Sequence, residues 1–140
     1  MIWKHLKHFT PDENWGDPDK INGLLLLLLD ALRDRWSAPF SVHCAYDLSG
    51  HLDKSEHYLG NAVDFHIDDG ESFALQISVM EHFLEGLQVA GHCGLGIYPG
   101  WNKPGFHLDV RGAKARWGRI GEDYVGFDEA KTYARIGKKV

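Results

Sequence analysis

The sequence predicts a single α+β domain, with a mainly antiparallel sheet and helices packed on one face. The 140 residues are 44% hydrophobic and 25% charged, which suits one globular domain spanning residues 1–140. Helical segments and pairs of strand-like segments follow one another as helix, strand, strand, helix, strand, strand. This order leaves the second face of the sheet free for polar chemistry.

The first predicted element is a long helix. Asp17 is a suitable N-cap, Pro18 suits the first helical position, and residues 19–36 continue until Pro39 prevents further helix. The six leucines at 24–29 are far fewer than the about 20 apolar residues that a spanning helix needs. The run therefore predicts a buried helix and no membrane span.

The other elements follow from alternation and from breakers. Alternation of apolar and polar residues predicts the strands, and apolar residues at helical spacing predict the helices. A glycine, Gly137, is expected to end the last helix. The predicted strands are 40–46, 61–67, 95–98 and 106–111, and the predicted helices are 73–89 and 128–136.

Composition excludes several functional classes. The net charge of -5 argues against a nucleic-acid partner, because such proteins neutralise phosphates with clustered basic residues. The N-terminus has no apolar run of signal-peptide length and contains acids and a proline, so it gives no indication of Sec export. Cys44 and Cys93 lack metal-type spacing and are interpreted as buried thiols. We expect a monomer.

Two strands carry polar residues on one face. Side chains alternate along a strand, so Asp64 points away from the core side of its strand, and His107, Asp109 and Arg111 do so on theirs. If the two strands are neighbours, opposite residues approach within about 5 Å at Cβ. His57 precedes Asp64 by seven residues, with a glycine between them that lets the chain turn back.

Two imidazoles and one carboxylate form the three-ligand pattern of a catalytic zinc site. His57, Asp64 and His107 are thus candidate ligands of a metal site on the face opposite the helices. Spacing alone leaves a second interpretation open, in which they are ordinary polar residues of a half-exposed sheet.

The motif containing these residues resembles a known family. Residues 55–64, SEHYLGNAVD, fit S-x-H-x-x-G-x-A-x-D, residues 106–110, FHLDV, fit H-x-D-V, and residues 94–100 resemble G-x-G-x-Y-P. These are similar to motifs of the zinc D-Ala-D-Ala carboxypeptidase and L-alanyl-D-glutamate endolysin peptidase family, which shares its metal site with the hedgehog signalling domain. The resemblance covers about residues 9–112 and leaves 113–140 as a C-terminal extension.

The resemblance implies a hedgehog/DD-peptidase-like fold and a zinc peptidase of bacterial cell-wall peptide. The localisation is unknown from the sequence; without a signal peptide, we expect such a peptidase to be cytoplasmic or phage-associated until it is released to the cell wall. It implies that His57, Asp64 and His107 bind Zn²⁺, and that peptidoglycan peptide is the substrate, cut as a carboxypeptidase or as an endopeptidase. Ser55 is expected to hold the turn of the motif, with a substrate contact as the alternative.

Two positions depart from the family pattern. Asp47 stands where relatives commonly have an arginine, and Pro104 and Gly105 stand where they have a catalytic base. Asp109 is expected to orient a ligand, which is the common role of a nearby carboxylate, or to act as the base.

Glu56 is the other candidate base. Arg111 is a candidate for the missing positive charge toward substrate, with a surface ion pair as the alternative. Trp101 and Trp117 are candidates for a cleft wall or for loop packing, and His43 and His66 are interpreted as structural histidines.

Two other functions are compatible with these residues. A zinc-bound binding or structural module of the same fold, without catalysis, would explain the departures. A non-haem iron oxygenase would use His51, Asp53 and His107 as a facial triad. The two long helices leave too little chain for the many-stranded barrel of such oxygenases.

Overall fold

The computed structural model describes residues 2–52 and 54–137 and forms one α+β domain. In this part of the chain, a six-stranded sheet is ordered β1-β2-β4-β3-β5-β6. All neighbouring strands are antiparallel except β3 and β5, so the sheet is mixed rather than purely antiparallel. The elements are α1 (Gly23–Arg35), β1 (Phe40–Cys44), β2 (Ala62–Ile67), α2 (Phe73–Gly86), β3 (Gly94–Tyr98), β4 (Gly105–Asp109), β5 (Ala115–Ile120), β6 (Asp123–Val125) and α3 (Phe127–Ile136).

Helix α1 begins later than the sequence predicts. Asp17 does cap a helical turn, but that turn is a separate 3-10 helix, Pro18–Lys20. Ile21 is extended and interrupts the helical path. Asn22 then caps α1, so the predicted single helix starting at Pro18 is wrong: each of the two capping residues begins its own helical segment.

The leucine run packs against the sheet with one side only. Leu24 and Leu27 are 63% and 46% exposed, whereas the other four leucines of the run are buried. They join the inward side chains of β2, β3 and β4 in one core, as the alternation of these strands predicts. Among the described helices, none is long and apolar enough to cross a membrane.

The other helices also lie on this face. Helix α2 ends at Gly86 instead of residue 89, and Gln88 just beyond it has a positive φ of 60°. Helix α3 packs so closely on β5 that a Cβ built on Gly118 would lie 2.2 Å from that of Ala130. Gly137 ends α3 in the left-handed conformation, as predicted.

The segment after residue 112 is part of the same sheet. Strands β5 and β6 were missed by the sequence analysis, because ARWGRI is half-buried and shows no clean alternation. Strand β5 pairs with β3 and places Trp117 on the face opposite α3. The segment expected as an extension therefore contributes to the polar face.

Candidate metal centre

Strands β2 and β4 are neighbours and place two predicted ligands directly opposite each other. Asp64 pairs with His107 in the antiparallel register. His107 Nδ1 lies 3.1 Å from Asp64 Oδ1, so both side chains project from the same face. The register thus satisfies the condition on which the predicted site depends.

The third candidate ligand comes from a short helical turn before β2. His57 lies in the 3-10 helix Glu56–Leu59, which Ser55 caps by accepting a hydrogen bond from the His57 N–H at 3.2 Å. Gly60 ends the turn with a φ of 73°, and a Cβ there would lie 1.9 Å from the Lys20 carbonyl oxygen. A glycine is therefore required where the chain turns back into β2.

The His57 ring is fixed by the end of β1. Its Nδ1–H donates to the Ala45 carbonyl oxygen at 2.7 Å. This bond leaves Nε2 directed to Asp64, whose Oδ1 is 3.2 Å away. A backbone carbonyl that holds one ring nitrogen of histidine is the usual way to present the other nitrogen to a metal.

The three side chains form a compact, buried donor group. Exposure is 2% for His57, 6% for Asp64 and 6% for His107. One ligand atom from each lies within 4.8 Å of the others, so the group could hold a metal ion. Two imidazole nitrogens and one carboxylate oxygen are a donor set that suits zinc, with room for a further ligand.

Asp109 holds the His107 ring through Nε2, the ring nitrogen that does not face Asp64. The His107 Nε2–H donates to Asp109 Oδ2 at 2.7 Å, and Arg111 donates from Nε and Nη2 at 2.9 and 2.7 Å. The Gly94 N–H donates to Oδ1 at 3.1 Å, and a Cβ on that glycine would lie 2.5 Å from the carboxylate. With 0% exposure and both oxygens engaged, Asp109 has the geometry of a ligand-orienting residue.

Burial and the interactions within the group shift its pKa values in opposite directions. Burial raises the pKa of Asp64, but hydrogen bonds from His107 and His57 outweigh it and hold that pKa below its usual range. The pKa of Asp109 is likewise lowered, against burial, by Arg111 and His107. Burial lowers the pKa of His107, yet hydrogen bonds and charge interactions with Asp109 and Asp64 raise it overall.

A cleft of about 620 Å³ opens above these ligands. It is lined by the other predicted site residues except Asp109: Ser55, Glu56 and Arg111. The Glu56 carboxylate accepts a hydrogen bond from Asn61 Nδ2 at 3.2 Å. The ion pair predicted as the alternative for Arg111 exists, since this arginine binds Asp109.

Aromatic residues form one wall of the cleft. Trp117 lies 4.9 Å from the His107 ring and donates from Nε1 to Tyr98 Oη at 3.3 Å. It lies over Gly96, where a Cβ would be 2.7 Å from the indole. Trp101 packs 4.6 Å from the Tyr98 ring. Both tryptophans line the cleft, and Tyr98 was missed although its alternation with Gly94 and Gly96 places it on this face.

A further positively charged side chain also lines the cleft. Arg119 lines it, and its guanidinium lies 5.1 Å from the centre of the Tyr124 ring. Arg119 Nε is buried and has no hydrogen-bond partner among the described residues. The sequence analysis did not single out Arg119 as a site residue because β5 was not recognised as a strand.

The remaining histidines and thiols have separate surroundings. His66 Nδ1 lies 3.2 Å from the Pro104 carbonyl oxygen, and the His43 ring packs edge-on against His66 at 5.4 Å. Cys93 is buried, as predicted, whereas Cys44 is only half-buried because it lines the cleft.

Two residues of the predicted iron triad, His51 and His107, lie in the described part of the chain. His51 lies beside Cys44 and Asp47, with its Nε2 3.0 Å from Asp47 Oδ2. Asp53, the carboxylate proposed for that triad, lies outside the described residues.

The fold and site together define an α+β domain with a candidate mononuclear metal centre at the base of a cleft. Comparisons of the chain with protein-family models, curated proteins and solved structures found no match.

Proposed function

We propose that the protein is a zinc-dependent peptidase that hydrolyses peptide bonds of bacterial peptidoglycan. The observation that carries the proposal is the convergence of His57, Asp64 and His107 at the base of an open cleft. These are the residues at which the chain resembles the D-Ala-D-Ala carboxypeptidase and endolysin peptidase family. The hedgehog/DD-peptidase-like fold is part of the same proposal.

The three ligands would hold the ion through His57 Nε2, Asp64 Oδ1 and His107 Nδ1. Bound zinc would polarise the scissile carbonyl and lower the pKa of its water toward about 7. The Ala45 carbonyl and the Asp109 carboxylate fix the two rings, so little reorganisation is needed to accept the ion.

We assign proton transfer to Glu56. It is the carboxylate of the predicted pair that lines the cleft, and Asn61 orients it from the side. Asp109 is assigned the positioning of His107, because its oxygens already accept hydrogen bonds from Arg111, Gly94 and His107. Glu56→Gln should lower kcat with little change in zinc affinity.

The cleft suits a peptide with free carboxylates. Arg111 and Arg119 bring cationic groups to it, and guanidinium groups pair well with carboxylates. Trp101, Trp117 and Tyr98 supply flat apolar surface along the same cleft. Stem peptides of peptidoglycan combine acidic groups with small apolar side chains, which this lining would accommodate.

The test is release of peptides from purified peptidoglycan by the zinc-loaded protein, followed by mass spectrometry. His107→Ala should abolish release and lower zinc content, whereas His82→Ala, on an exposed position of α2, should change neither. Equal release by the two variants would contradict the proposal.

The second candidate is a zinc-bound module that binds cell wall without cutting it. Asp47 favours it, because an acid occupies the cleft at the position where relatives commonly have an arginine. A zinc-loaded protein that sediments with peptidoglycan but releases no peptide, under conditions in which a related peptidase does, would favour this module.

A further inference from the structure

A second group of side chains of the types that ligate metals lines the cleft, at the end of β1 and in the loop that follows it. Cys44 Sγ is 3.8 Å from His51 Nε2 and 3.9 Å from Asp47 Oδ2, and His51 Nε2 is 3.0 Å from Asp47 Oδ2. All three side chains line the cleft. The three separations are those of donor atoms that surround one ion at bond lengths of about 2.0–2.3 Å.

The backbone of this loop is held independently of the three side chains. The Tyr46 N–H donates to the Trp15 carbonyl at 2.9 Å, and the Asp47 N–H donates to the His57 carbonyl at 3.3 Å. Tyr58 Oη accepts from the His51 N–H at 2.9 Å and donates to the His51 carbonyl at 2.7 Å. The donors are therefore kept together before any ion binds.

A nucleophilic thiol does not explain the arrangement. In a Cys-His-Asp triad the thiol and the carboxylate contact different ring nitrogens, whereas here both converge on His51 Nε2.

We propose that Cys44, Asp47 and His51 bind a second divalent cation of the thiophilic class, with Zn²⁺ as the ion of choice. Sulfur, nitrogen and carboxylate donors together select such ions over Mg²⁺ and Ca²⁺. Binding converts the Cys44 thiol to a metal thiolate and releases its proton to solvent. The fourth position opens to the cleft.

The two ions would have separate ligand sets. His57 is near both groups, and Cys44 Sγ is 3.9 Å from its Nδ1. That nitrogen already donates to the Ala45 carbonyl, so Asp47 is the better third ligand of the second site. The second ion would put positive charge beside the first site, and its binding does not require that the protein be a peptidase.

The test is titration of the metal-free protein with Co²⁺ and Zn²⁺. Wild type should bind two equivalents, and Co²⁺ in the second site should give the near-ultraviolet absorption of a cobalt–thiolate bond. Cys44→Ser should bind one equivalent and lack this absorption. Cys93→Ser, which removes the buried thiol, should behave as wild type.

His107→Ala separates the two sites, since it should lose the first equivalent and keep the cobalt–thiolate absorption. Absence of the cobalt–thiolate absorption in wild type, or its presence in Cys44→Ser, would overturn the proposal whatever the result with peptidoglycan. Alkylation of wild type gives a second measurement: Zn²⁺ should slow the reaction of Cys44, and an unchanged rate would contradict the second site.

Discussion

Replacement of Asp109 by asparagine should weaken zinc binding although Asp109 is not itself a proposed ligand. The carboxylate accepts hydrogen bonds from His107 Nε2, from the Arg111 side chain and N–H, and from the Gly94 N–H. An amide of the same shape accepts at one atom only. In Asp109→Asn at least one of these donors therefore faces an NH₂ group.

The size of the effect follows from the role of this carboxylate. Loss of a carboxylate that orients a metal-bound histidine typically costs about 10- to 100-fold in metal affinity. This corresponds to about 1.4–2.7 kcal/mol of binding free energy. We expect Asp109→Asn within this range, because His107 keeps its nitrogen but loses its fixed orientation.

The assay is competition of the metal-free protein with a chelating dye for Zn²⁺. Asp12→Asn is the matched control, because Asp12 is exposed and remote from the cleft. Thermal unfolding of the metal-free variants checks that each is folded. Equal zinc affinity for Asp109→Asn and Asp12→Asn would refute the role assigned to Asp109.

Two further predictions concern stability. Gly60→Ala should lower the free energy of unfolding in urea by about 1 kcal/mol or more beyond the loss in Gly50→Ala. Both glycines have a positive φ, but of the two only Gly60 lies against a backbone carbonyl, that of Lys20. Equal losses would contradict the close contact. The lowered pKa values of Asp64 and Asp109 stabilise the metal-free fold above the unfolded-state value of about 3.9, and this contribution is lost as pH falls toward the folded-state values. Asp109→Asn should therefore flatten the loss of stability below about pH 4, and a slope equal to wild type would argue against these shifts.

The sequence was sufficient for the part of the site that lies on regular strands. Alternation fixes which side of a strand a residue faces, so it correctly put Asp64 and His107 on the face opposite the core. The turn at His57 could also be predicted from the sequence, because Ser55 is a local signal for a cap and Gly60 for a left-handed residue.

Other parts depend on contacts between distant segments. Strand β5 is half-buried and pairs in parallel with β3, so its own residues show neither clean alternation nor a hairpin signal. Both Asp17 and Asn22 are capping residues, and the local sequence does not decide that α1 begins after Asn22. The group of Cys44, Asp47 and His51 spans the end of β1 and the irregular loop after it, where spacing along the chain does not determine which side chains meet.

The most direct test of the central claim is a crystal structure of the zinc-loaded protein with anomalous data on both sides of the zinc absorption edge. We expect a zinc peak about 2.0–2.2 Å from His57 Nε2, Asp64 Oδ1 and His107 Nδ1. A fully loaded protein with no zinc between these three atoms would contradict the metal centre and the function proposed from it.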